Sequence, residues 1–221
     1  MIARIAAGTS ASLSRSLWRA AAFSLALVSA GCSTMTPVPL TDTGANAPSA
    51  RVYRQNMTLE GRLSLRYQQN NQDQSVYGSF VWQQTQEQIH LQFLSPLGQT
   101  IAMIDIKPGL AILTQPGKAP RSAGDANQLT EQTLGWPLPI AGLRDWLQGF
   151  ASDAQGKPFI AQARSNDAGN TVITRDGWRI QYVNWQTTAG DSMPKRIDLE
   201  RYTEQAGEVA IRIVIDKASA S

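Results

Sequence analysis

Apolar and polar residues alternate with period two through most of the chain. Leu63, Leu65 and Tyr67 point one way while Arg62, Ser64 and Arg66 point the other. Val76, Phe80 and Trp82 share a face, with Gly78 between them. Ile89, Leu91 and Phe93 alternate with Gln88, His90 and Gln92, and the run Ile101–Ile106 is apolar on both faces. Late in the chain Trp178, Ile180 and Tyr182 alternate with Arg179 and Gln181. Ile197 and Leu199 alternate with Arg196, Asp198 and Glu200, and Val209, Ile211, Ile213 and Ile215 share one face of a final strand. Turn residues separate the runs at Asn70-Asn71, Ser95-Pro96-Leu97-Gly98, Pro108-Gly109, Asp176-Gly177 and Ala206-Gly207. The pattern predicts an antiparallel meander with one apolar and one polar face.

The middle of the chain follows a different period. Asp125 is placed to cap a short helix ending near Leu134. After Trp136-Pro137-Leu138, Pro139 suits a first helical turn, and Ile140, Leu143, Trp146, Leu147 and Phe150 follow helical spacing. Two short amphipathic helices must lay their apolar faces on something, and the open apolar face of the sheet is available. The expected fold is mainly β: one curved antiparallel sheet with an apolar concave side, capped by a small helical insert that encloses an apolar space. Gly124, Pro137, Pro139 and Gly149 flank or break the insert, which predicts a lid able to bend.

The N-terminus changes how the charge is read. Residues 1–31 carry Arg4, Arg15 and Arg19, no acid, and an apolar run from Ala20 to Ala30 too short to span a bilayer. Gly31 and then Cys32, the single cysteine of the chain, follow at once. This is the pattern of a lipoprotein signal peptide cut before Cys32, which becomes the lipid attachment site. Three of the 20 basic residues leave with the signal, so 17 basic residues face 17 acidic ones and the mature part is neutral. No electrostatic footprint for nucleic acid remains. Residues 32–50, rich in Thr, Pro, Ala and Ser, read as a flexible tether. Residues 51–221 read as a single domain without disulfides.

Reactive chemistry is sparse. The lone histidine, His90, falls on the polar face of its strand, without a cysteine or second histidine beside it. Carboxylates are scattered singly, and Asp198 and Glu200 beside Arg196 read as an ion-paired surface. No phosphate loop or nucleophile elbow occurs. The sequence assigns no catalytic residue, no metal ligand and no cofactor, and predicts a protein that is not an enzyme.

Several segments in order carry a family resemblance. They are Ser29-Ala30-Gly31-Cys32, Gly61-Arg62-Leu63, Phe80-Val81-Trp82-Gln83-Gln84 and Ser95-Pro96-Leu97-Gly98. Leu134-Gly135-Trp136-Pro137-Leu138-Pro139 through Leu143-Arg144-Asp145-Trp146-Leu147 follows, then Gly177-Trp178-Arg179 and Met193-Pro194. Together they resemble the LolB family of outer-membrane lipoprotein receptors, over essentially the whole mature domain. The resemblance implies a monomer that takes acylated lipoprotein cargo from a soluble LolA-like periplasmic carrier. It implies insertion of that cargo among the phospholipids of the inner leaflet of the outer membrane, by a protein anchored there and facing the periplasm. It also implies an antiparallel unclosed β-barrel, or half-barrel, with a short helical lid over an acyl-chain cavity on the apolar face, for which Phe80, Trp82, Leu91, Phe93, Ile101, Met103, Trp178, Ile180 and Tyr182 are candidates. Ordinary core packing is the competing assignment for each. Leu97, at the tip of a predicted hairpin, is the candidate membrane-inserting residue. Ser33 after the cysteine fits an outer-membrane destination, since Asp there is the usual inner-membrane retention signal.

Two other functions fit the same pattern. A lipid-anchored periplasmic sensor or binding module could use this type of open barrel to bind a lipid and signal. A structural lipoprotein could brace an envelope assembly through an exposed edge strand or apolar patch.

Overall fold

The structure, a computed structural model, describes residues 51–163, 168–188 and 190–220. The signal segment, Cys32 and the tether read from the sequence lie outside these residues. Strands β1 (Met57–Gln69) and β2 (Gln72–Gln84) form a long hairpin. Its turn residues Asn70 and Asn71 have φ of 52° and 59°. A two-residue hairpin turn that matches strand twist requires positive φ, and asparagine tolerates it. The meander continues outward through β3 (Ile89–Leu94), β4 (Thr100–Lys107), β5 (Leu110–Thr114) and β6 (Arg121–Ala123).

The chain then passes through helices α1 (Ala126–Leu134) and α2 (Ile140–Trp146) and a separate small hairpin, β7 (Phe150–Ser152) with β8 (Pro158–Ile160). It returns as β9 (Thr171–Ile173), β10 (Arg179–Thr188), β11 (Asp191–Thr203) and β12 (Gly207–Ala220). Because β12 pairs antiparallel with β1, one ten-stranded sheet results, ordered β6-β5-β4-β3-β2-β1-β12-β11-β10-β9. Its edge strands β6 and β9 do not pair with each other, so the antiparallel meander that the alternation predicted stays an unclosed barrel, as the family resemblance implied.

Burial follows the alternation. Leu59, Trp82, Ile180, Ile197, Leu199 and Ile215 point inward and are fully buried. Two inward positions are glycine because the backbone there lets nothing larger fit. A Cβ on Gly61 would lie 2.2 Å from the Val214 carbonyl oxygen, and one on Gly78 would lie 2.1 Å from that of Leu94. The outer face carries ion pairs, among them Arg62–Asp216 and a carboxylate, Asp198, shared by Arg196 and Arg212.

Asp125 caps α1 as expected: its carboxylate accepts from the Gln128 N–H at 2.8 Å, and Gly135 ends the helix at φ 84°. The second helix is shorter than its spacing suggested. Pro139 stands at its N-cap rather than in its first turn, and the helix stops at Trp146. Gly149, at φ 86°, then turns Phe150 into β7.

Candidate functional site

The inward face is packed solid at one end and open at the other. At the packed end Trp82, Trp146 and Trp178 join one large core with Met57, Leu59 and Ile89. Under α1 a small second cluster of Ala111, Leu113 and Leu129 forms. Between them lies a cavity of about 280 Å³. Its walls are Leu63, Leu65 and Tyr67 of β1, Val76 of β2, Leu91 and Phe93 of β3, and Ile101, Ala102 and Ile104 of β4. Leu113 and Ile211 complete the sheet side. Leu129, Thr130, Thr133 and Leu134 of α1, with Leu138, Ile140 and Leu143, form the roof. Several wall residues toward the 95–98 turn, including Val76, Phe93 and Ile101, are only half-buried. The site is therefore greasy, lidded and accessible from that end.

Three of the residues singled out from the sequence, Leu91, Phe93 and Ile101, stand on this wall. Phe80, Trp82, Trp178, Ile180 and Tyr182 lie instead in the packed core, all at 5% exposure or less. The Trp82 indole N–H donates to Gln84 Oε1 (3.0 Å), which fixes that ring in the core. Tyr182 stacks between Phe159 and Trp185 at 6.2 Å from each. Burial holds its hydroxyl far above the usual phenol range, against a smaller opposing pull from Arg51. Met103 faces outward, because β4 pairs it with Gln92 and Thr114 of the polar side. The wall residues Leu65, Tyr67, Val76, Leu129, Leu134 and Ile211 were not singled out. For those on strands, a shared alternation face was the available signal.

The two halves of the lid are fastened differently. Helix α2 is tied down at its C-terminal end. Arg144 donates to the carbonyls of Thr85 and Gln86 in the β2–β3 turn. Asp145 accepts from the Tyr53 hydroxyl at 2.8 Å. Gln148, just past the helix, accepts from the Arg54 N–H (2.8 Å) and donates to the Arg54 carbonyl (3.1 Å). Gln84 Nε2 donates to the same carbonyl at 3.1 Å, so residues 51–55 form a strap between α2 and β2. Arg51, whose guanidinium burial lowers from its ordinary value, lies 4.6 Å over the Trp185 ring and donates to the Gln148 carbonyl. Helix α1 rests on the sheet through Ala126 and Leu129, and its Thr130 hydroxyl accepts from the Leu138 N–H at 2.9 Å.

The turn at residues 95–98 sits at the accessible end. Gly98 N–H donates to the Ser95 carbonyl (2.9 Å), Ser95 N–H donates to the Gln99 carbonyl (2.8 Å), and Gly98 has φ 81°. This is a type I turn followed by a glycine bulge. It leaves Leu97 88% exposed, more than any other large apolar residue described. On the outer face His90 contacts Asp105 at 2.6 Å. Among the described residues, no three His, Cys, Asp or Glu side chains are grouped as metal ligands would be.

A half-barrel with a helical roof over an apolar cavity, and an exposed leucine at its mouth, defines a class: a lidded carrier of apolar ligands. Residues 55–217 match the family described as "Outer membrane lipoprotein LolB", and the chain belongs to that family. The outer-membrane lipoprotein LolB of Cupriavidus pinatubonensis is 37% identical over 201 residues, covering 88% of this chain and 91% of the relative. That of Ralstonia nicotianae is 33% identical over 195 residues, covering 85% and 90%. A crystal structure of a LolA superfamily protein from Nitrosomonas europaea overlays at a TM-score of 0.44 and 11% identity, over 76% of this chain and 89% of that one.

Proposed function

We propose that this protein receives acylated lipoproteins from a soluble LolA-like periplasmic carrier and inserts them into the inner leaflet of the outer membrane. The carrying observation is the apolar cavity roofed by α1 and α2 in a chain of the LolB family. Exposing one acyl chain of about fourteen methylenes to water costs on the order of 11 kcal/mol. Cargo must therefore pass from one apolar site to another without a free intermediate. The cavity at rest, about 280 Å³, falls just under the ~300–1,000 Å³ of pockets that enclose drug-sized ligands. Loading a lipoprotein anchor thus requires the roof to rise, and the more lightly fastened α1 is the half that moves.

In this reading residues 1–31 are the export signal, Cys32 is the acylated anchor, residues 32–50 form the tether and residues 51–221 the receiving domain. The domain works as a monomer, and Leu97 enters the acyl region of the membrane during delivery. Leu91, Phe93 and Ile101 contact the acyl chains, while the buried tryptophans hold the frame. Depletion of the protein in its host tests the function. Outer-membrane lipoproteins should accumulate in the periplasm bound to their carrier. Normal lipoprotein localisation after depletion would refute it and favour a sensor on the same fold.

A further inference from the structure

A second concave site lies on the opposite, outer face of the sheet, at the base of the 95–98 hairpin. It is a groove of about 370 Å³ lined by Arg62, Ser64, Tyr77, Ser79, Pro96 and Arg212. Arg62 and Ser64 come from β1, Tyr77 and Ser79 from β2, and Arg212 from β12. Register places them together: Ser64 is opposite both Tyr77 and Arg212, and Arg62 is opposite both Ser79 and Val214. Arg62 and Arg212 are thus diagonal neighbours on one face, with Cα atoms about 7–8 Å apart.

We propose that this groove binds the phosphodiester headgroup of a membrane phospholipid, and so seats the domain on a bilayer when Leu97 is inserted. The proposal rests on the reading of Leu97 given above. Four features carry it.

The arginines are pre-aimed. Arg62 holds Asp216 through Nε and Nη2, both at 2.9 Å. Arg212 holds Asp198 through Nε (3.0 Å) and Nη2 (3.2 Å). These side-on pairs fix each guanidinium plane and leave both Nη1 groups without a partner among the described residues. Planar donors held in this way suit the oxygens of a phosphodiester.

The charge has the right sign. Arg62, Arg196 and Arg212 stand against Asp198 and Asp216, so a surplus positive charge remains. The Ser64 and Ser79 hydroxyls add neutral donors at the groove wall.

Tyr77 is 57% exposed, which is unusual for an aromatic residue on a polar sheet face. An apolar ring with a polar tip belongs at the level of lipid headgroups.

The groove is at the correct depth. Pro96 lines it and Leu97 is the next residue. A side chain that enters the boundary of headgroups and acyl chains brings its neighbour to the level of the phosphates. The inner cavity and the outer groove thus lie on opposite faces of the sheet at the same end. The first receives the cargo's acyl chains and the second a lipid of the receiving membrane.

The test uses the full chain bearing Cys32→Ala, so that no acyl anchor holds it to lipid. Flotation compares phosphatidylcholine vesicles, uncharged overall but phosphodiester-bearing, with galactosyl diacylglycerol vesicles, uncharged and free of phosphate. Residues 1–31 contribute equally in every variant, so the ratio of the two affinities isolates the groove. The parent should prefer phosphatidylcholine by about tenfold, the worth of one charge-assisted hydrogen bond. Ser79→Asp puts a carboxylate in the groove without breaking an ion pair, and should bring the ratio close to one with an unchanged melting temperature. Arg62→Gln with Arg212→Gln should also bring the ratio close to one. Leu97→Glu should weaken binding to both vesicles and keep the ratio. If Leu97→Glu leaves both affinities unchanged, the Leu97 reading fails while the ratio still reports on the groove. A parent without preference, or groove variants that keep it, would overturn the headgroup site. Displacement of phosphatidylcholine vesicles by millimolar inorganic phosphate would overturn the lipid assignment in favour of a small anion.

Discussion

Replacing Leu97 by glutamate separates two things this domain does. The side chain is 88% exposed at the second central position of a type I turn and touches little of its own domain. Surface changes of this kind alter stability by no more than about 0.5 kcal/mol, so the melting temperature should move by about 2 °C or less. Membrane contact is another matter. Burying one leucine is worth ~1.5–3 kcal/mol, which corresponds to about 10- to 100-fold in partition, and a carboxylate at the same depth widens the gap. That energy orients a tethered domain without anchoring it. Leu97→Glu should therefore accept cargo from the carrier at close to the parental rate and deliver it to liposomes at least about tenfold more slowly. A reconstituted assay scores the steps separately: carrier-to-receptor transfer by co-purification of cargo, and receptor-to-liposome transfer by flotation. Delivery as fast as the parent's would show that Leu97 is a turn residue only. Loss of uptake together with delivery would show that the turn serves the cavity mouth rather than the membrane.

Mass spectrometry of the mature N-terminal peptide should find Cys32 first in the chain and carrying acyl mass; an unmodified peptide retaining Gly31 would end the anchor assignment. Asp125→Ala removes the α1 cap and should cost about 1 kcal/mol; hydrogen exchange should then quicken in α1 and leave α2 unchanged, and equal protection of both helices in the parent would argue for a rigid plug. Ala102→Leu fills part of the cavity wall and should raise thermal stability while lowering cargo uptake, the reverse of what a packed core would give. Acid should weaken the outer face. Burial pushes the Asp198 carboxyl up, but bonds from Arg196 and Arg212 outweigh it, and the bond from Arg62 depresses Asp216. Carboxyls held low in the fold contribute stability above their unfolded values, near 3.9, and lose it as pH falls through the folded ones. Unfolding monitored below about pH 4 should accordingly show Asp198→Asn less acid-sensitive than the parent.

Alternation made the strands legible because one face of nearly every strand is buried and the other wet. The Asp125 cap and the Ser95–Gly98 turn were legible because few residue types meet those local geometries. Depth along a strand was not. Trp82 and Val76 share a face of β2, yet one is sealed in the core and the other lines the cavity. The difference comes from the chain between Gly135 and Leu147, which brings Trp146 against Trp178 at 6.5 Å and fills one end of the sheet. No local pattern near Trp82 announces that partner. Met103 was misplaced for a different reason. It stands two residues from Ile101 and so reads as sharing its face. The ladder shifts register between Phe93 and Leu94, which leaves Ile101 on the cavity wall while Met103, opposite Gln92, faces out with Asp105. Strands β6 to β9 have three residues each, too few to display a period.

The unfilled end of the sheet also bears on how such a protein changes over generations. Apolar wall left without facing atoms forgoes the dispersion contacts that a filled core would make. Random substitution that enlarges Ala102 or Val76 is therefore favoured by folding and opposed only by the need to carry cargo. A lineage released from that need should close the space early, long before the strand pattern decays. Bulky residues on the cavity wall would then mark a descendant that keeps the fold and has abandoned transport.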